Sequence, residues 1–237
     1  YGWVKKHTMK ILFFLIFSVI FATEQSWDEK LHYKASFGGV DVATATLKSK
    51  KIKNIQNQDI LRIEFKATSK PSLKYIFPIN DKIIIDVDLN TWQPLKVNKK
   101  IREGSYKQNS LSTYDHKNKM FFYKEDSISY DGEIFNPYSL IYYFRTLDFS
   151  SNANYEIQVV DNKKVTPLKF FADKKVKIKT VLGKFYANKI WPKKMNGKPF
   201  KNAGKITMWI SDKDKLPIII NLKMKFGSLN LELAKIN

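Results

Sequence analysis

The chain contains no cysteine among its 237 residues. This excludes disulfides, a thiol nucleophile, thiolate metal sites and a lipid anchor carried on a cysteine. Arginine is almost as scarce: Arg62, Arg102 and Arg145 are the only three of 42 basic residues. Specific reading of bases and phosphates favours the bidentate guanidinium, so the formal charge of +20 does not point to nucleic acid. Histidine occurs only as His7, His32 and His116, with no His or Cys partner at ligand spacing, and no metal or cofactor site is expected. Neither a Gly-x-Ser-x-Gly elbow nor a phosphate-binding glycine loop is present. There is no internal repeat and no Pro- or Ser-rich linker that would divide the chain.

What is present is lysine, aromatics and alternation. From Lys163 onward, nineteen lysines face four acids (Asp173, Asp212, Asp214 and Glu232), so most of the excess charge sits in the last third. The Lys-for-Arg and Asn-rich bias reads first as genome-wide codon drift, next as contact with anionic lipid or glycan phosphates, and least as a nucleic-acid surface. Near the start, Met9-Lys10 precedes Ile11 to Ala22, twelve residues with only Ser18 polar. That is a charged start and an apolar core of signal-peptide length, too short to span a bilayer comfortably. Residues 1–22 are therefore expected to be an upstream extension plus an export signal ending near Ala22. The mature protein is expected to be periplasmic and not a lipoprotein, with residues 23–237 forming a single β domain.

Period-2 patterns run through the rest of the chain. Leu31, Tyr33, Ala35 and Phe37 alternate up to Gly38-Gly39, and Val40 to Leu47 returns as the second arm of a hairpin. Leu61 to Ala67, Ile83 to Leu89, Leu95 to Arg102, Met120 to Tyr123 and Ser127 to Tyr130 read as strands. So do Tyr155 to Val160, Leu168 to Phe171, Val176 to Thr180, Phe185 to Trp191 and Ile206 to Ile210. Ile218 to Phe226 and Leu229 to Leu233 form a last hairpin, with Gly227-Ser228 as the expected turn. The texture changes only at Asn136-Pro137, where Tyr138, Leu140, Ile141, Tyr142, Phe144 and Leu147 recur at helical spacing, with proline in the first turn. The pattern predicts an all-β fold: one large antiparallel sheet, strongly curved or barrel-like because so many strands cannot lie flat, with one short central helix plugging it or packing on its side.

These segments resemble the bacterial family catalogued as domain of unknown function 3108. The likeness begins at Leu31-His32-Tyr33 and Gly38-Gly39. It continues through Asp88-Leu89-Asn90-Thr91, Pro94, Arg102-Glu103-Gly104-Ser105-Tyr106 and Tyr114-Asp115-His116. Pro137-Tyr138-Ser139-Leu140 with Tyr143-Phe144-Arg145 is similar to the family's central helix, and Leu182 to Ala187 to its Gly-x-Phe-x-Ala hairpin. Trp209-Ile210-Ser211-Asp212, Leu216-Pro217 and Gly227-Ser228 are similar to its C-terminal signature. Ala43, where the family often has glycine, and Lys213, between Asp212 and Asp214, depart from the pattern. The resemblance implies an exported envelope protein with a mainly antiparallel β fold, and it implies no reaction. The curved sheet also looks like the half-barrels of periplasmic lipoprotein carriers, a likeness of fold alone.

Few residues carry candidate chemistry. Asp115-His116 is the best acid–base pair, but neighbours on a strand face opposite ways. Arg145 closes an aromatic helix and needs an acid, with Asp115, Asp212 or Asp214 as candidates. Arg145, Tyr138, Tyr142, Asp115, Asp212 and Trp209 are the candidate ligand-binding residues, at the mouth and wall of an apolar hollow for a lipid or acyl chain. The expected function is thus non-catalytic binding or carriage of an apolar envelope component. The alternatives are an interaction module that pairs with another envelope protein, and an enzyme acting on glycans or lipids through Asp and Arg.

Overall fold

The computed structural model describes residues 27–149, 154–198, 205–224 and 227–237. The expected export signal, and His7 with it, lies outside the described residues. A meander opens the chain: β1 (Glu29–Phe37), β2 (Val40–Lys53), β3 (Asp59–Ser69), β4 (Asn80–Asp88), β5 (Pro94–Glu103), β6 (Tyr106–Asp115), β7 (Met120–Tyr123) and β8 (Asp126–Ser129). Then follow β9 (Ile134–Phe135), the helix α1 (Pro137–Tyr143) and a 3-10 turn over Phe144–Thr146. A second meander completes it: β10 (Asn154–Asp161), β11 (Lys164–Thr180), β12 (Gly183–Lys194), β13 (Lys205–Ser211), β14 (Pro217–Met224) and β15 (Gly227–Ile236).

Among the described residues, the fifteen strands form one sheet, in the order β8-β7-β6-β5-β4-β3-β2-β1-β15-β14-β13-β12-β11-β10-β9. Every neighbouring pair is antiparallel except β9 with β10. The first and last strands meet in the middle, with Ala35 opposite Leu231 and Tyr33 opposite Leu233. Because the strands are meanders, successive turns alternate between two ends. The β1–β2, β3–β4 and β5–β6 turns share the end marked by Gly38. The start of β1 lies at the other end.

The sheet rolls until it overlaps itself. Phe121 and Tyr123 on β7 and Tyr130 after β8 pack against Ile134 on β9 and Val160 on β10, with Tyr114 of β6 alongside. Buried Lys99 on β5 reaches Asp161 at the end of β10, and Gln108 on β6 donates to Asn162 at 2.8 Å. The seam is therefore closed by side chains, since β8 and β9 share no ladder. This also covers the β9 edge, whose two residues are buried, while the opposite edge, β8, is only four residues long.

The helix occupies the rolled interior. Asn136 caps it, accepting from Tyr138 N–H at 3.0 Å, while the Asn136 N–H donates to Ser139 Oγ at 3.2 Å. Seven residues are too few for an isolated helix, so burial must hold it. Tyr142 joins the core of β1–β5, β14 and β15, whereas Leu140 and Phe144 join a second core with Phe135, Phe149, Phe170, Ile190 and Ile210. Being apolar all round, the helix divides the two cores.

Four local expectations need correction. The helix ends at Tyr143 and tightens into a 3-10 turn, short of Leu147. Gly227 and Ser228 begin β15 rather than forming the turn. The two strands expected between Leu168 and Thr180 are one strand, β11, which takes a register shift between Asp173 and Val176. The sequence reading missed β6 and β9 altogether. Among the described residues no helix is long and apolar enough to cross a membrane.

Candidate functional site

The most elaborate side-chain constellation lies where the helix leaves the rolled sheet, at the end opposite Gly38. Arg145 is 3% exposed. Its Nη1 and Nη2 form a bidentate pair with Glu29 at the start of β1, the Nη2–Oε2 contact being 3.0 Å. The guanidinium also lies over two aromatic rings, with Cζ 5.3 Å from the Trp27 ring and 5.1 Å from the Tyr142 ring. Trp27 meets Trp92 edge-on at 5.2 Å. Tyr33 donates to the carbonyl of Pro217 at 2.9 Å, and Ser49 donates to the carbonyl of Trp27. The Arg145 Nε and the Tyr142 hydroxyl are buried without hydrogen-bond partners. Burial pushes the Tyr142 and Tyr33 hydroxyls well above the usual phenol range, which keeps both neutral.

The six candidate residues do not form one site. Arg145 and Tyr142 touch, but the acid is Glu29 and not Asp115, Asp212 or Asp214, because β1 and not those turns runs beside the helix end. Asp115 is half-buried and caps its own turn, accepting from Asn118 N–H at 3.0 Å and Asn118 Nδ2 at 2.7 Å. Those bonds hold its carboxyl below the usual range. Asp212 pairs with Lys175 at 2.8 Å, and its carboxyl is likewise lowered. Trp209 alternates with buried Met208 and Ile210 and is only half-buried. Tyr138 lies deeper along the helix, with its ring 5.2 Å from that of Phe65. Its hydroxyl is raised first by burial and then by Asp161, Asp81 and Glu103.

His116 is more constrained than an exposed turn residue would be. Its Nε2 lies 2.7 Å from the Pro94 carbonyl and its Nδ1 2.6 Å from the Tyr130 hydroxyl. A carbonyl can only accept, so Nε2 carries the proton and Nδ1 accepts from Tyr130. Burial lowers the imidazole below its ordinary value, so it remains neutral and acts as a strut between β5 and the seam. Among the described residues no three or more His, Asp or Glu side chains gather as metal ligands.

Sequence reasoning also missed a pair of carboxyls at the Gly38 end. Buried Asp81 on β4 accepts from Arg102 N–H at 2.9 Å, and the Glu103 carboxyl lies beside it. Burial raises Asp81 above the usual carboxylate range. Burial raises Glu103 as well, and the Asp81 charge adds to that rise. A carboxyl raised in the folded state binds its proton more tightly there than in the unfolded chain. Stability from Asp81 is therefore full below its unfolded value of 3.8 and declines as pH rises through the folded value. Asp81→Asn keeps the acceptor for Arg102 N–H and gives Glu103 a donor. Urea midpoints should show the variant gaining on the parent between pH 4 and pH 7.5. A constant difference across that range would refute the assignment.

Two hollows among the described residues are both open. One, of about 470 Å³, lies across β5, β6 and β7 and includes Lys100, Leu111, Phe122 and Lys124. The other, of about 310 Å³, lies outside Glu29 and Ser49 among Lys30, Lys48 and Lys50. Tyr142 lies in the core of β1–β5, β14 and β15, and Tyr138 packs against that core.

A rolled, mainly antiparallel sheet closed by side chains around a buried helix defines a β-barrel-like protein. The chain belongs to the family described as protein of unknown function (DUF3108), whose model matches residues 32–234. Among solved structures it is similar to the beta-barrel-like protein of domain of unknown function DUF1849 from Brucella abortus. The two superpose with a TM-score of 0.57 at 9% identity, covering 88% of this chain and 96% of that one. At that identity the likeness shows the fold alone. A search of curated proteins returned no match.

Proposed function

We propose that this protein is an exported, non-catalytic component of the cell envelope that works through its outer surface as an interaction module. The observation that carries this reading is the contrast between inside and outside. The helix fills the rolled sheet, with Tyr142 at 0% and Phe144 at 1% exposure, whereas Tyr75 and Ile76 stand 92% and 79% exposed. A carrier needs an enclosed apolar volume for its cargo. Here the side chains of the helix are packed into the two cores, and the most buried cation among the described residues, Arg145, is already engaged by Glu29. The charged start and apolar run of residues 9–22 support export.

Native mass spectrometry of the protein purified from an envelope fraction, followed by organic extraction, tests this reading. The expected mass is that of the polypeptide alone. A stoichiometric lipid or acyl species that survives purification would overturn the reading in favour of internal carriage.

A further inference from the structure

The Gly38 end of the sheet carries an apolar tip. The β3–β4 connection, residues 70–79, is a built projection. Leu73 and Lys74 N–H donate to the Lys70 carbonyl at 2.9 and 3.1 Å, and Ile76 and Phe77 N–H donate to that of Leu73 at 3.1 and 2.9 Å. Ser69 clamps its base, donating from Oγ to the Phe77 carbonyl at 2.9 Å. The Phe77 ring lies over Gly104 so closely that a Cβ there would sit 2.9 Å from it, which ties the projection to the β5–β6 turn. On the other side, Lys70 N–H donates to the Val42 carbonyl at 2.9 Å, which ties it to the β1–β2 hairpin. Three adjacent turns thus present Tyr75 (92% exposed), Ile76 (79%), Val40 (64%), Tyr106 (54%), Phe77 (53%) and Phe37 (37%) to the outside.

Cations surround this tip. Lys74 and Lys107 are exposed beside it, Arg102 is exposed opposite Lys107 on the β5–β6 hairpin, and Lys70 pairs with Asp41 at 3.0 Å. The acids facing it are Asp41 and Glu103, with Asp81 buried behind. The geometry points to docking of this tip on an anionic lipid bilayer, with Tyr75, Ile76 and Phe77 entering the headgroup–acyl boundary and the lysines on the phosphates. The inference deepens the outer-surface reading and rests on it. A bilayer fits better than a protein partner because Tyr75 and Ile76 stand 92% and 79% exposed on a turn with exposed lysines beside them. Tyrosine, phenylalanine and lysine together also suit the interfacial layer, where apolar bodies sink and polar ends remain wet.

Sedimentation of the whole protein with vesicles of 30% phosphatidylglycerol in phosphatidylcholine tests the proposal against pure phosphatidylcholine. The parent should bind the anionic vesicles at least ~10-fold more tightly, with binding weakened by added salt. Tyr75→Ser combined with Ile76→Ser should lower that affinity by roughly 10-fold or more, while the urea midpoint stays unchanged because both side chains are outside the core. Undiminished vesicle binding by the double variant would assign the effect to diffuse lysine charge and overturn the proposal. So would failure of the parent to bind, or crosslinking of the tip to an envelope protein without vesicle binding; either leaves the outer-surface reading standing. That broader reading falls separately, by an internally bound lipid in the mass spectrum.

Discussion

Arg145→Ala should destabilise the fold by about 3–5 kcal/mol, because it leaves the Glu29 carboxylate, 11% exposed, without its partner. That is a large fraction of the ~5–15 kcal/mol that typically separates folded from unfolded domains. The loss has two parts: an uncompensated charge at the start of β1, and the lost contacts of the guanidinium with the Trp27 and Tyr142 rings. Arg145→Lys separates them, since it keeps a charge near Glu29 but forfeits the fork and the stacking. It should fall between the parent and the alanine variant. Urea unfolding gives the measurement, and a cycle with Glu29→Ala isolates the coupling. A cost below about 1 kcal/mol for Arg145→Ala would mean that the guanidinium is not required for folding, and would return Arg145 to candidacy as a ligand-binding group.

Phe121→Ala should cost a similar ~3–5 kcal/mol, by a different route. Phe121 is 0% exposed and stands at the overlap, stacked on Tyr114 with ring centroids 5.6 Å apart. Removing it takes a fully buried aromatic side chain out of the cluster that joins β7 to the tucked β9–β10 edge. Lys99 with Asp161 and Gln108 with Asn162 would remain, but Asp161 is half exposed and solvent weakens that contact. The variant should therefore open at the seam before it unfolds globally. Hydrogen exchange would detect this as early loss of protection at Ile134, Phe135 and Val160, with β1 and β15 still protected. Simultaneous loss of protection across all strands would show that the seam is not a separate unit.

Much of the sheet was legible because its strands are half-buried and alternate. The Gly38-Gly39 hairpin, β3 and β4 follow their apolar period closely. β6 was not, because its inward positions are Ser110 and Ser112 while Leu111 faces outward, 46% exposed. Small polar residues line its inner face where the tucked edge and its polar contacts approach, so the apolar period is reversed. β9 has two residues, too few for any period. The Arg145 partner was hidden for another reason: Glu29 looks like an ordinary polar residue at a strand start, and only the rolled fold brings that start beside the helix end. Local pattern reports which face a residue takes, but not which distant strand lies next to it.

The β1–β15 pairing governs how the chain can reach its folded state. β1 obtains its second neighbour only when β15, nearly the whole chain later, becomes available. Every other antiparallel ladder joins strands consecutive in sequence and can zip from a turn. The central ladder must instead close the longest loop the molecule contains. A chain delivered from one end, by a ribosome or through a translocation pore, would assemble two meanders with an open central gap and complete the sheet only after the last strand had emerged. The fold thus carries its own delay, and commitment of the central ladder waits for β15.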